Sequence, residues 1–136
     1  MRILRIAIII LITLSISTTS CQQQKNTFNS NNAFDDLRYQ TNLGPRTPYS
    51  DAHAQIITWA IAEFSSAGWE TESQEVVWAG HSIQNLIAKK GTGNPWIIIG
   101  AHYDSRLTAD RDPDPNLRTS PVSGANDGAS GVAILV

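Results

Sequence analysis

An α/β fold is predicted by three features of the chain: an unbroken apolar run at residues 96–101, a helical apolar stripe between Ser50 and Gly68, and two strand-like runs between them. The run Trp96-Ile97-Ile98-Ile99-Gly100-Ala101 has strand length, and its continuous hydrophobicity suits a strand covered on both faces. In the stripe, Ile57, Ala60, Ile61 and Phe64 share one helical face, with Ile56 and Trp59 beside it. Ser50-Asp51 offers a cap and an acidic first turn, and Gly68 stands where a C-terminal cap belongs. Residues 69–78 and 82–88 flank Ala79-Gly80-His81 and read as a hairpin.

The other segments connect these. Phe34, Leu37 and Leu43 fall at roughly helical spacing over residues 33–43, with Asn32 as a possible cap. Gly44-Pro45-Arg46-Thr47-Pro48 is irregular, because two prolines and a glycine stop a helix. Residues 91–95 form a turn, and residues 110–121, with Pro113, Pro115 and Pro121, form a loop. Residues 123–131 are small and polar and lead into Val132-Ala133-Ile134-Leu135-Val136, the start of a buried helix. An apolar helix start at the end of a chain predicts a truncated domain.

The 136 residues suffice for one domain, with 41% hydrophobic residues to build a core. Lys and Arg number 10 against 12 Asp and Glu, so no basic excess exists to hold a phosphate backbone, and no nucleic-acid partner is expected. Arg2 and Arg5, the apolar run 6–14 and small polar residues to Ser20 have the form of a secretory signal, shorter than the ~20 apolar residues of a membrane span. The single cysteine, Cys21, sits where cleavage exposes it and resembles the lipidated cysteine of bacterial lipoproteins, although Thr18 stands where such signals usually carry Leu. The domains expected are therefore a signal at 1–21, a flexible polar tether at 22–32 and, over 33–136, the N-terminal part of a domain truncated at its C-terminal end. The protein is expected outside the cytoplasm, membrane-anchored through lipid or else secreted.

Ligands of an open α/β sheet bind beyond the carboxyl ends of its strands, which is where His102 and Asp104 stand. Their i, i+2 spacing puts both on one side of extended backbone, where an imidazole can ligate zinc while a carboxylate fixes its tautomer. Asp127 precedes a helix start among small residues that let a ligand approach. On local chemistry alone a chance His-x-Asp pair and an ordinary Asp-Gly turn are equally open readings. The repeat Asp110-x-Asp112-x-Asp114 lacks the Gly and Glu of a calcium loop. His53 and His81 have no partner at ligand spacing and read as surface or structural residues.

Taken together, several stretches resemble the zinc exopeptidases of peptidase family M28, which groups aminopeptidases with glutaminyl-peptide cyclotransferases. They are Leu43-Gly44-Pro45-Arg46-Thr47-Pro48 with Ala52-His53, Gln84-Asn85-Leu86-Ile87-Ala88, Gly100-Ala101-His102-Tyr103-Asp104-Ser105-Arg106, and residues 121–133 around Ser123-Gly124-Ala125-Asn126-Asp127-Gly128-Ala129-Ser130-Gly131. The resemblance implies a three-layer α/β sandwich on a mixed sheet, incomplete in this chain. It implies one or two zinc ions, with His102 and Asp127 as metal ligands and Asp104 in support of His102. In one-zinc cyclases the histidine matching His102 is not a ligand, and the loop 109–115 looks more like that of bacterial cyclase-like members. The implied activity is hydrolysis at peptide N-termini, of aminopeptidase type. The alternatives are a glutaminyl cyclase that forms N-terminal pyroglutamate and a non-catalytic lipoprotein that binds through the same fold. The family's Glu-Glu pair and last acidic and histidine ligands are expected beyond Val136, which would leave the 136-residue chain inactive by itself.

Overall fold

A computed structural model of the chain describes residues 28–136. The signal, Cys21 and most of the tether lie outside the described residues. Helix α1 (Ser30–Asn42) begins inside the stretch read as tether. Asn29 is its cap: the side chain accepts from the backbone N–H groups of Asn31 and Asn32 at 3.1 and 3.3 Å. A polar asparagine run looks like a linker, yet an asparagine side chain is also among the best acceptors for the orphan N–H groups of a first turn. The cap therefore lies three residues before Asn32.

Helix α2 (Asp51–Ser66) starts at the expected cap, with Ser50 Oγ accepting from His53 N–H at 3.1 Å. Ala67 closes the helix and Gly68 follows at φ 77°, the left-handed position that a helix end favours. The buried face is Ala52, Ile56, Ile57 and Ala60, with Ile61 and Phe64 half-buried. It is rotated slightly from the expected stripe, and Ile56 is its most enclosed member.

Strands β1 (Glu70–Trp78) and β2 (His81–Lys89) pair antiparallel in a register that runs from Glu70 opposite Lys89 to Trp78 opposite His81. The hairpin turn is Ala79-Gly80 alone, with φ of 50° and 81°. Positive φ at both central residues matches the right-handed twist of the flanking strands. The short helix α3 (Ser130–Leu135) buries Val132 and Ala133. Helix α1 packs on α3 and on the turn preceding it, while α2 packs on the hairpin.

The sheet differs from expectation. Among the described residues it has these two strands only, so neither the three-layer sandwich nor its mixed sheet is formed. Residues 96–101 carry no ladder hydrogen bonds to a described strand, and Ile97, Ile98 and Ile99 are 84%, 92% and 72% exposed. Apolar composition marks a segment able to be a covered strand, but burial requires neighbours on its edges and faces. No described helix of the protein is long and apolar enough to cross a membrane.

Candidate metal centre

The site forms where the segment 102–105 meets the turn that leads into α3. Gly124 adopts φ 65°, and the chain then makes one wide turn over Ala125–Ala129. Within it Asp127 leaves helical geometry, at φ −108° and ψ 85°, before the chain winds regularly into α3. Gly128 is buried against His102: a Cβ there would collide with the His102 carbonyl and lie 2.8 Å from its ring. Only a residue without a side chain lets the two segments touch here.

This approach brings three of the expected residues together. His102 Nε2 lies 2.9 Å from Asp127 Oδ1. On the other side of the ring, Nδ1 lies 3.2 Å from Asp104 Oδ1 and 3.1 Å from the Asp104 carbonyl. The side chains of His102, Asp104 and Asp127 are 53%, 46% and 70% exposed, so the cluster is open to solvent. Partial burial pulls the His102 pKa down, but hydrogen bonds to Asp127 and Asp104 and the charge of Asp104 outweigh it and leave it raised. Flanked by two carboxylates, both ring nitrogens of the imidazolium can donate.

The donor chemistry fits part of a zinc shell. Two donors on one tetrahedral zinc, each about 2.0–2.2 Å from the ion, sit about 3.3–3.6 Å apart. His102 Nε2 and Asp127 Oδ1, hydrogen-bonded at 2.9 Å, need to part only slightly to reach that spacing. Asp104 stands where a carboxylate holds the second nitrogen of a metal-bound histidine. Zinc sites take three or four protein ligands, and among the described residues no group of three His, Cys, Asp or Glu is placed to hold a metal ion. His53 lies off the cluster, its ring 4.9 Å from that of Tyr103, and His81 sits by Tyr49 at 5.8 Å.

Arg46 and Gln40 have a part in the site that was not foreseen. Arg46 is fully buried. Its guanidinium donates to the carbonyls of Tyr103 (3.0 Å), Gln40 (2.9 Å), Ser123 (3.1 Å) and Gly124 (2.9 Å). Its own carbonyl accepts from Ser105 N–H at 3.0 Å. Burial lowers its pKa, and the charge of Asp104 opposes that shift. Gln40, also fully buried, donates through Nε2 to the Ala129 carbonyl at 3.0 Å. One signal in the sequence could have found Arg46: it is a charged residue in a segment whose prolines forbid a helix.

Residues 85–136 match the Peptidase family M28 profile, a span that includes His102, Asp104 and Asp127. An uncharacterized protein of Escherichia coli K12, YfbL, is 43% identical over 74 residues, which is 54% of this chain and 21% of that protein. A Zn-dependent exopeptidase from Parabacteroides distasonis superposes with a TM-score of 0.69 at 32% identity, over 79% of this chain and 39% of its own. A leucine aminopeptidase precursor from Bacteroides thetaiotaomicron gives 0.69 at 28% identity, over 80% of this chain and 40% of its own. A glutaminyl cyclase from Tannerella forsythia gives 0.64 at 30% identity, again over 80% and 40%. The chain thus spans about two fifths of the solved structures it matches, and over that span it has the fold of the zinc-dependent exopeptidases. Through residues 85–136, the chain is thus similar to the members of peptidase family M28.

Proposed function

We propose that this protein is a zinc-dependent exopeptidase acting on peptide N-termini, by aminopeptidase-type hydrolysis. The observation that carries the reading is the 2.9 Å approach of His102 Nε2 to Asp127 Oδ1, a nitrogen and a carboxylate oxygen from distant segments brought close enough to share one ion after a small separation. Zinc held there supplies Lewis acidity to polarise a carbonyl and activate water. Asp127 contributes a full negative charge beside that position. Asp104 accepts from Nδ1–H of His102, which leaves the Nε2 lone pair free to ligate. The open face of the cluster lets a peptide end enter. With one or two zinc ions in view, further ligands are required beyond the two donors that the described residues bring together. The 136-residue chain is therefore expected to bind zinc loosely and to show no turnover of its own.

A second reading, glutaminyl-peptide cyclotransferase, is favoured by the likeness to the Tannerella enzyme. In that reaction the α-amine of an N-terminal glutamine attacks its own side-chain amide carbon, the amide C–N bond breaks and ammonia leaves. Metal analysis of full-length variants, with assays on an aminoacyl anilide and a glutaminyl peptide, separates the readings. Asp127→Ala should lose most zinc and all activity, and full zinc content in that variant would falsify the site. His102→Ala should lose about one equivalent in a two-zinc aminopeptidase and almost none in a one-zinc cyclase. Full metal with neither activity points to the binding module. Cellular placement follows the sequence: an extracytoplasmic protein, anchored to the membrane by lipid on Cys21.

A further inference from the structure

We propose that Arg46 is a positioning residue that sets the separation of His102 and Asp127; the inference rests on these two being the metal donors. The residue after the first donor and the turn before the second are both tied to it. Its Nε donates to the carbonyl of Tyr103, the neighbour of His102, at 3.0 Å. Its Nη1 and Nη2 hold the carbonyls of Ser123 and Gly124 at 3.1 and 2.9 Å. The link from Gly124 onward is tight. A Cβ on Gly124 would lie 2.7 Å from the Asp127 carbonyl, 2.8 Å from Ser105 Cβ and 3.1 Å from Arg46 Nη2, so a shift at this corner is passed to Asp127. The third anchor, the Gln40 carbonyl at 2.9 Å, fixes the guanidinium to the last turns of α1.

A planar fork with five N–H groups can serve four carbonyls from three segments at once; an ammonium, with three donors on a flexible stem, cannot. Arg46 touches neither donor atom and no substrate position. Its effect on the metal is through the distance it maintains, and outer partners of this kind typically change affinity by about 10–100-fold.

The test is Arg46→Lys, which keeps the charge and loses the fork. Zinc chloride is titrated calorimetrically into the wild-type chain, Arg46→Lys and Asp127→Ala, with far-ultraviolet circular dichroism as the check on folding. The expected result is a folded Arg46→Lys whose zinc affinity falls by about tenfold or more. Unchanged affinity in the folded variant overturns the inference. If the wild type and Asp127→Ala take up zinc equally, the metal reading fails by itself, and Arg46 is then judged without metal. In nuclear magnetic resonance spectra, the cross-peak between His102 Hε1 and Gly128 Hα, a contact the structure makes close, should weaken in Arg46→Lys. Its retention at full strength also overturns the inference. If Arg46→Lys does not fold, Gly124→Ala takes its place. It keeps the guanidinium and displaces the corner it holds, and it should weaken both readouts; no change in either counts against the inference.

Discussion

The Tyr103 hydroxyl donates to the backbone carbonyl of Gln84 at 2.6 Å, joining the site segment to the middle of β2. The same ring lies 4.9 Å from that of His53 on α2, so Tyr103 ties hairpin, helix and site together. Tyr103→Phe keeps the ring and strands the carbonyl in a half-buried position. It should lower stability by about 1 kcal/mol, a fall of several degrees in thermal midpoint, with zinc affinity almost unchanged. Paired thermal melts and zinc titrations check this.

Gly128→Ala tests the close approach of the two site segments. The new Cβ would meet the His102 carbonyl and ring, both part of a packed joint with backbone on each side. A loss of roughly 1–3 kcal/mol is expected in urea unfolding, together with weaker zinc binding, because the ring must move to admit the methyl group.

Asp104 should behave differently from Asp127. Asp104→Asn keeps an acceptor for His102 Nδ1–H and removes the charge, so its zinc affinity should fall less than that of Asp104→Ala. For the alanine the expected loss is about 10–100-fold. Equilibrium dialysis against zinc ranks the two. An Asp104→Ala protein that loses as much metal as Asp127→Ala would show Asp104 to be a ligand.

Two histidines should pull stability in opposite directions with pH. Burial lowers the His53 pKa below its ordinary value, against the smaller upward pull of Asp104. The unfolded chain therefore takes up this proton first, and the contribution of neutral His53 is full above the ordinary histidine range and lost as pH falls through it. For metal-free His102 the pKa is raised, so its contribution is full below the ordinary value and lost as pH rises through the folded one. His53→Gln should flatten the loss of stability on the acid side, and His102→Gln the loss above neutrality. Urea unfolding from pH 5 to 8 tests both signs.

At the N-terminus the expectation is chemical. Cys21 should carry lipid when the protein is made in a bacterial host, and Cys21→Ser should carry none. Equal labelling of both by a radioactive fatty acid, or labelling of neither, would end the lipoprotein reading.

What the sequence revealed follows the range of the forces involved. Helix α2 was legible because its cap, first-turn acid and apolar spacing are all local, and Ser50 caps it as expected. The hairpin was legible for the same reason, although its turn is one residue shorter. The start of α1 was not, since asparagines serve tethers and caps alike. Residues 96–101 were misjudged as buried because hydrophobicity states what a strand tolerates and not what lies against it. In the site, the i, i+2 pair His102 and Asp104 was legible locally, while the meeting with Asp127 across 25 positions was placed only through the family resemblance. The part played by Arg46 escaped both routes. Its partners are backbone carbonyls, and a carbonyl leaves no mark on a residue's identity.

That choice of partners has a consequence for the conditions the protein withstands. The hydrogen bonds of the Arg46 guanidinium go to peptide oxygens, which neither titrate nor exchange ions with the solvent. Acid cannot neutralise them, and dissolved salt has little access to a fully enclosed cation. Surface pairs such as Lys89 with Glu72 or Arg106 with Asp110 respond to both. The joint beneath His102 and Asp127 should thus keep its shape through acidification and through swings in ionic strength that dissolve the ion pairs around it.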